Sequence, residues 1–366
     1  MSGGQDNSAP SEPTIVEALD TPVPLGHRPP VTDRLPASPA AGAFPGASAA
    51  PPSLSARDFT SERMLRPQMD APRAGWRRLL FLATGGALNL GPTAAELRER
   101  EFIARIKAPV PDCRRIAVVS RKGGVGKTTT TLMLGHTFAA HRGDRVIAID
   151  GNPDAGSLGY RVRRETTNTV MSLLAHRDQI ARYADIRAYT SQAPTRLEVV
   201  AADDDPRITD ALREQDFYNA LHLLEVHYNL VCMDTGTGVL ESAARGILRL
   251  ADQIVVVTAP SLDSARTASS TLDWLDQNGH AGLVANAVAV INGVSRRGLV
   301  ELGRIEAHFA ARCRHVVRVP RDPHLEAGAE SALELLKPMT RAAYLELTAA
   351  VADGFSDTNH NRGGER

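Results

Sequence analysis

Cysteine is scarce in this 366-residue sequence, which has three, at Cys113, Cys232 and Cys313. They are far apart and odd in number, and none stands in a C-x-x-C pair, which disfavours a disulfide framework or a zinc site. Net charge is also missing, because 42 basic residues balance 42 acidic ones. The overall charge therefore gives no reason to expect nucleic acid or an anionic membrane as partner, although a local basic surface remains open.

The sequence also lacks a long hydrophobic run. Its most apolar stretch, near residues 79–90, is interrupted by Gly85, Gly86 and Asn89, and it is shorter than the roughly 20 residues that span a bilayer. The start, Met-Ser-Gly-Gly-Gln-Asp, has neither a basic segment nor an apolar core, unlike a signal peptide. We therefore expect a cytoplasmic protein without stable membrane insertion.

Proline is unevenly distributed, since residues 1–72 hold 13 of the 23 prolines. This segment is also rich in Ala, Ser and Gly and has no sustained apolar period, so it cannot bury enough surface to offset chain entropy. It is predicted to be a disordered tail, serving either as a spacer or as a docking segment for a partner. A second disordered tail is predicted for residues 355–366.

Residues 73–110 differ from the tail that precedes them. Trp76 stands among arginines, and Thr93 is followed three residues later by Glu96, the spacing of a helix capping box. This pattern predicts a small helical adaptor segment, either packed on the main domain or presenting a surface to a partner. The main domain is predicted to cover residues 111–354.

Short β-branched runs recur through the main domain and alternate with helix-like stretches. Runs that are apolar on both faces are typical of a parallel sheet covered on two sides. We therefore predict an α/β fold with a doubly wound, mostly parallel sheet. The last periodic segment, residues 339–351, is predicted to be a closing helix. The runs are residues 116–119, 146–149, 197–200, 230–233, 254–257, 287–290 and 316–317.

The strongest motif is S-R-K-G-G-V-G-K-T-T at residues 120–129, between the first predicted strand and a helix. This context predicts a phosphate-binding loop. The stretch Gly123, Gly124, Val125 and Gly126 lets backbone N–H groups turn toward phosphate oxygens, and the helix N-terminus adds its positive dipole end. Lys127 is expected to reach the β- and γ-phosphates of ATP, and Thr128, with Thr129 beside it, to offer its hydroxyl to Mg²⁺.

The loop departs from the simplest Walker A pattern, because Arg121 stands where the first glycine would fall. K-G-G-V-G-K-T-T instead resembles the deviant Walker A ATPases, the ParA/MinD family, over about residues 114–352. The resemblance implies an ATPase that forms a homodimer when ATP is bound. It also implies that Lys122 crosses the dimer interface and contacts the other subunit's nucleotide, which stabilises a dimer only while phosphates are present.

Two aspartates end predicted strands at the places where the family has its switch segments. Asp150 begins D-G-N-P-D and is expected to orient magnesium-bound waters, and Asp234 in M-D-T-G-T-G is expected to hold one. In the family an aspartate before the proline positions the attacking water, but here that residue is Asn152. Because asparagine cannot act as a general base, we expect slow or partner-dependent hydrolysis.

Two further segments match the family at the nucleotide base. The resemblance implies that Asn292, at the end of a predicted strand, contacts adenine. It also implies that the loop containing Pro320 and Arg321 closes over the base. Alone, an asparagine at a strand end is more often a turn residue than a ligand.

Along the chain, a Pro/Ala-rich tail precedes Gly-Trp-Arg-Arg at residues 75–78 and Asn-Leu-Gly-Pro at residues 89–92, followed by the phosphate loop and D-G-N-P-D. This order resembles EspI-like proteins, which are MinD-like ATPases associated with type VII (ESX) secretion in actinobacteria. This implies an accessory or regulatory role, with the N-terminal region contacting secretion-system proteins. Two alternatives stay open: a partitioning ATPase that binds DNA non-specifically, and a scaffold that binds ATP with little hydrolysis. A DNA surface would draw on arginines that are equally consistent with ordinary solvated residues. They are Arg296, Arg297, Arg312, Arg314, Arg318 and Arg321.

Overall fold

The computed structural model describes residues 70–73, 75–151, 156–202, 214–236, 242–295 and 298–355. All of them belong to one structural unit, Gln68–Arg366. The switch residue Asn152 and almost all of the two predicted tails therefore lie outside the described residues.

A sheet of eight strands forms the centre of this unit. The strands are β1 Arg114–Val119, β2 Val146–Gly151, β3 Ser191–Gln192, β4 Glu198–Val200, β5 Leu230–Thr235, β6 Gln253–Thr258, β7 Val288–Val294 and β8 His315–Pro320. They lie in the order β3-β4-β2-β5-β1-β6-β7-β8. β3 is antiparallel to β4, and all other neighbouring strands are parallel. This confirms the predicted doubly wound, mostly parallel sheet.

Each of the seven predicted apolar runs overlaps a strand, whereas β3 was not predicted. β3 has two residues and no apolar period. It forms because the chain turns back tightly after it, with Arg196 in the left-handed region at φ 75°. Ser191 then pairs with Val199, and Gln192 with Glu198. Such a pairing depends on the turn geometry, which the side-chain pattern does not reveal.

Helices cover both faces of the sheet. They are α1 Gly75–Ala83, α2 Ala94–Ile106, α3 Lys127–His141, α4 Val170–Ala175, α5 Tyr183–Ile186, α6 Glu214–Glu225, α7 Ser242–Leu250, α8 Leu262–Gln277, α9 Ala281–Ala285, α10 Leu302–Ala310, α11 Pro323–Glu326 and α12 Pro338–Asp353. Single 3₁₀ turns lie at Leu158–Arg161, Arg177–Gln179, Arg187–Tyr189 and Leu333–Leu335.

The side chains of β1 show why the strands are apolar on both faces. Ile116 and Val118 join a core built with α3 and α12. Ala117 and Val119 point the other way, into a core with α6 to α10. All four are fully buried, since successive residues of a strand face opposite sides. The central strands of the sheet are thus shielded on both faces, whereas the edge strand β8 exposes His315 and Arg318.

The closing helix α12 is a core element. Ten of its 16 residues are buried, among them Tyr344 and Leu347. The chain continues to Phe355, which is buried and stacks on Phe138 with ring centroids 5.8 Å apart. The domain therefore extends at least one residue beyond the predicted boundary at 354. In the described part of the chain, none of the helices combines the length and apolar character that crossing a membrane requires.

α2 is attached to the main domain. Thr93 and Glu96 form the predicted capping box, in which Glu96 N donates to Thr93 Oγ1 at 3.2 Å and Thr93 N to Glu96 Oε2 at 2.8 Å. At the other end, Ile106 is fully buried. Arg105 donates two hydrogen bonds to the carboxylate of Asp353 in α12, at 3.0 and 2.5 Å.

α1 contrasts with α2, because none of its residues is buried. Its large apolar side chains Trp76, Leu79 and Leu82 are exposed. The two helices of the predicted adaptor segment thus have different surroundings: α2 packs on the domain, and α1 leaves an apolar surface uncovered by the described residues.

Candidate nucleotide-binding site

The glycine-rich loop connects the buried strand β1 to the helix α3. Gly124 and Gly126 have φ angles of 75° and 93°, in the region that glycine adopts without strain. Gly126 immediately precedes α3, and within the described residues no side chain caps this helix end. The first N–H groups of α3 and its positive dipole end therefore face the loop, the arrangement that binds phosphate.

A cavity of about 750 Å³ opens over the loop. This volume lies within the usual range of sites for small molecules and cofactors. Most of the predicted nucleotide-binding residues line it, whereas Lys122, Gly123, Asp150 and Asp234 do not. The predicted residues that line the cavity are Gly124, Val125, Gly126, Lys127, Thr128, Thr129, Asn292, Pro320 and Arg321.

Asp234 lies in β5, behind the start of α3, and is almost completely buried. Thr131 Oγ1 donates to its carboxylate at 3.4 Å, and the Thr128 hydroxyl forms a further hydrogen bond with it. Burial raises the pKa of Asp234 to about 6, against the opposing effects of the Thr128 hydrogen bond and the Lys127 charge. The carboxylate thus lies directly behind the hydroxyl that is predicted to bind Mg²⁺.

Asp150 is the partner of Asp234 in the register between β2 and β5 and is fully buried. Leu158 N donates to Asp150 Oδ2 at 3.1 Å. Gly156 lies so close that a Cβ added there would be 2.1 Å from Asp150 Oδ2. Asp150 therefore holds the backbone that follows the switch segment. Its role toward magnesium-bound waters stays a prediction.

Asn292, at the end of β7, contacts the phosphate loop itself. Its Nδ2 donates to the carbonyl of Val125 at 2.8 Å, and a Cβ at Gly126 would be 2.1 Å from the same nitrogen. The side chain thus supports the loop from the side of the cavity. This contact was not predicted, and the implied contact with adenine stays a prediction.

The loop after β8 forms the opposite wall of the cavity. Arg321 forms an ion pair with Glu326 of α11. Asp322 is buried and accepts hydrogen bonds from His324 N and Lys337 N, each at 3.0 Å. These bonds hold the loop in one arrangement, with Arg321 at the cavity surface.

Lys122, which the family resemblance places across a dimer interface, has a partner within its own chain. Its Nζ forms an ion pair with Asp263 in the first turn of α8. The side chains are 37% and 76% exposed, and pairs this open to water are weak. Lys122 is therefore held by a contact that can readily exchange for another anion.

Arg161 also lines the cavity and was not predicted from the sequence. It ends the 3₁₀ turn Leu158–Arg161, and its Nη1 donates to Thr129 Oγ1 at 3.0 Å. In the sequence Arg161 is one of three arginines within four residues, R-V-R-R, and no motif separates it from its neighbours. Its position becomes evident only once the chain after β2 returns to the phosphate loop.

The arginines considered for a DNA surface have partners where they are described. Arg312 pairs with Asp273 and Asp276 of α8, Arg318 with Glu306 and Arg321 with Glu326. Arg314 donates to the carbonyl of Ala350 at 2.5 Å. Arg296 and Arg297 lie outside the described residues. The described members of this group therefore do not form an uncompensated basic surface.

Comparison with known proteins agrees with this geometry. Residues 113–277 match the family model AAA_31, an AAA domain. The ParA family ATPase from Chlorobium tepidum superposes with a TM-score of 0.57 at 16% identity, covering 64% of this chain and 98% of that one. MinD from Pyrococcus horikoshii, solved with Mg-ADP, gives a TM-score of 0.52 at 19% identity, covering 64% and 94%.

Residues 113–277 are therefore similar to AAA_31 domains, and the described chain has the fold of the ParA and MinD ATPases. In sequence it is similar to the ESX-1 secretion-associated protein EspI of Mycobacterium tuberculosis, with 38% identity over 284 residues, or 77% of this chain. The match spans 42% of the length of that relative.

Proposed function

We propose that this protein binds ATP with Mg²⁺ at the phosphate loop and uses the bound nucleotide to control its own dimerisation. The observation that carries the proposal is the arrangement at the start of α3. Lys127 and Thr128 line the cavity, and the buried carboxylate of Asp234 lies directly behind them. A cation, a hydroxyl and free helix N–H groups are the donor set that a magnesium-bound triphosphate requires.

The residues present fit such a ligand. Lys127 would hold the β- and γ-phosphates, and Thr128 would give its hydroxyl to Mg²⁺, with Asp234 and Asp150 holding magnesium-bound waters. When bound, Mg²⁺ neutralises phosphate charge and orients the phosphate oxygens. The walls formed by Asn292 and the loop at Arg321 would enclose the base, which explains why the cavity extends from the phosphate loop to the end of β8.

The dimerisation switch depends on Lys122. Its partner Asp263 is largely exposed, so a triphosphate on a second subunit, with several negative charges, would compete for the same ammonium group. In this proposal Lys122 remains with Asp263 in the monomer and moves to the partner's nucleotide in the ATP-bound dimer. Loss of the terminal phosphate weakens the second contact and favours return to the monomer.

Hydrolysis is expected to be slow or to need a partner, because Asn152 cannot accept the proton of an attacking water. Asp150 does not replace it directly, since its carboxylate is buried against the backbone N–H of Leu158. The scaffold alternative, in which ATP binds with little turnover, is the limiting case of the same proposal.

For the physiological role we propose an accessory or regulatory part in type VII secretion. The support is the similarity to the ESX-1 secretion-associated protein EspI, which extends beyond the AAA domain to 77% of this chain. The exposed apolar side chains of α1 offer the N-terminal region a surface for a secretion-system protein. The described arginines of the candidate DNA surface are paired with carboxylates, so they do not support DNA partitioning.

The experiment is light scattering with and without Mg·ATP, run beside steady-state phosphate release. It compares the wild type, Lys127→Ala and, as a control, Lys107→Ala at an exposed position away from the loop. We expect ATP to convert the wild type and Lys107→Ala to dimers with slow phosphate release, while Lys127→Ala stays monomeric.

Asn152→Asp should release phosphate faster than the wild type if asparagine limits turnover. A wild type that neither binds ATP nor changes its oligomeric state would refute the nucleotide switch. ATP binding without dimerisation would refute the switch and leave the scaffold alternative.

A further inference from the structure

Arg161 places a guanidinium at the phosphate end of the cavity. It lines the cavity together with Lys127 and Thr128. Its Nη1 donates to Thr129 Oγ1 at 3.0 Å, and Thr129 is in the first turn of α3, one residue after Thr128. The side chain therefore reaches the helix end that is arranged to bind phosphate. It comes from the segment after β2, whereas Lys127 follows the loop after β1.

The guanidinium has donor capacity left over. Among the described residues no carboxylate forms an ion pair with Arg161, and its Nε is buried without a hydrogen-bond acceptor. A guanidinium has five N–H donors, and a buried donor without an acceptor is costly. Arg161 is half-buried, and its charge also acts on the nearby carboxylate of Asp234. Its five donors leave capacity to bind a phosphate in the cavity.

Neighbouring arginines of the same segment show the contrast. Arg163 is exposed, and it lines a different cavity, as Arg164 does. Of the arginines in R-V-R-R, Arg161 alone lines the nucleotide cavity. Arg161 also borders the second cavity, but within this segment it is the arginine whose guanidinium reaches the start of α3.

The backbone of Arg161 links the switch segment to the wall of the site. Leu158, at the start of the same 3₁₀ turn, donates to Asp150 at 3.1 Å. The carbonyl of Arg161 accepts a hydrogen bond from Ser331 N at 2.8 Å, in the segment between α11 and α12. A ligand that binds the guanidinium would thus restrain residues on both sides of the cavity.

We propose that Arg161 is a substrate-binding residue whose guanidinium binds the terminal phosphate of ATP, supplied within the same chain. Its Nη1 donates to Thr129 Oγ1, and in this proposal the guanidinium extends from there to the phosphate when ATP binds. Planar guanidinium donors suit phosphate oxygens. The residue distinguishes ATP from ADP, because ADP lacks the phosphate that it contacts. This inference rests on the proposed ATP-binding function.

The test measures the dissociation constants of Mg·ATP and Mg·ADP by calorimetry on the full chain, for the wild type, Arg161→Gln and the matched control Arg163→Gln. Loss of a charge-assisted hydrogen bond predicts that Arg161→Gln weakens ATP binding about 10- to 100-fold. We expect ADP binding to change by less than about threefold, and Arg163→Gln to match the wild type for both nucleotides. A purely structural role would weaken ATP and ADP equally.

Thermal unfolding without nucleotide shows whether each variant is folded. If Arg161→Gln does not fold, Arg161→Met, which keeps an unbranched apolar stem, takes its place. Equal loss of ATP and ADP affinity, or an ATP affinity within about twofold of the wild type, overturns the assignment. The wild-type titration reports separately on the proposed function: if it shows no ATP binding, both proposals fail, whereas normal wild-type binding with an insensitive variant refutes Arg161 alone.

Discussion

Gly126→Ala tests whether the phosphate loop depends on the geometry of this one residue. At φ 93° an alanine costs about 1–2 kcal/mol in strain. Its Cβ would also lie 2.1 Å from Asn292 Nδ2, which must move away and give up the 2.8 Å hydrogen bond to Val125 O. That loss adds about 0.5–1.5 kcal/mol. We therefore expect the free energy of unfolding to fall by about 1.5–3.5 kcal/mol, and ATP affinity to fall as well.

Two control variants separate the backbone strain at positive φ from the steric collision with Asn292. Gly124→Ala introduces the same backbone strain at φ 75°, but beyond the adjacent residues no described atom lies within 4 Å of the added Cβ. Its free energy of unfolding should therefore fall by only about 1–2 kcal/mol. In Gly126→Ala/Asn292→Ala the collision is absent, and the two substitutions should be less destabilising together than the sum of their separate effects. Urea unfolding and ATP titration are measured for five chains: the wild type, Gly124→Ala, Gly126→Ala, Asn292→Ala and the double variant.

The reasoning would be wrong if Gly126→Ala were no more destabilising than Gly124→Ala, or if truncating Asn292 gave no relief. Either result would mean that Asn292 does not hold the loop as the 2.8 Å contact indicates.

Two further predictions concern the buried His136 and the ion pair between Lys122 and Asp263. Burial lowers the pKa of His136 from 6.5 to about 4, so the unfolded chain takes up this proton at a higher pH than the folded protein does. The contribution of neutral His136 to the free energy of unfolding is therefore fully present above pH 6.5, and about 3 kcal/mol is lost as the pH falls from 6.5 to 4. In urea unfolding, His136→Leu should reduce the dependence of the free energy of unfolding on pH, whereas His176→Gln at an exposed position should not. Parallel curves of this free energy against pH for the wild type and His136→Leu would contradict the prediction. Asp263→Asn should free Lys122 and raise the dimer fraction at a given ATP concentration in light scattering. Asp276→Asn on the same helix should leave that fraction unchanged, and an unchanged Asp263→Asn would show that the ion pair does not restrain Lys122.

The features that depend on neighbouring residues were predictable from the sequence. The loop at residues 120–129 was recognisable because glycines, a lysine and a threonine must occur in that order between a strand and a helix. Seven strands were found because burial on both faces demands unbroken apolar runs. The capping box at Thr93 was found because its two partners are three residues apart.

Which distant residues meet at the site became evident from the three-dimensional fold. Arg161 reaches Thr129, Asn292 reaches Val125, and Lys122 reaches Asp263, and the partners in these contacts are 32, 167 and 141 positions apart in the sequence. The paired arginines are of the same kind, since Arg312 was indistinguishable from a solvated residue until α8 lay beside it. The three contacts at the site arise where parallel strands bring their carboxyl ends to one edge of the sheet, so the strand order selects them and local sequence does not.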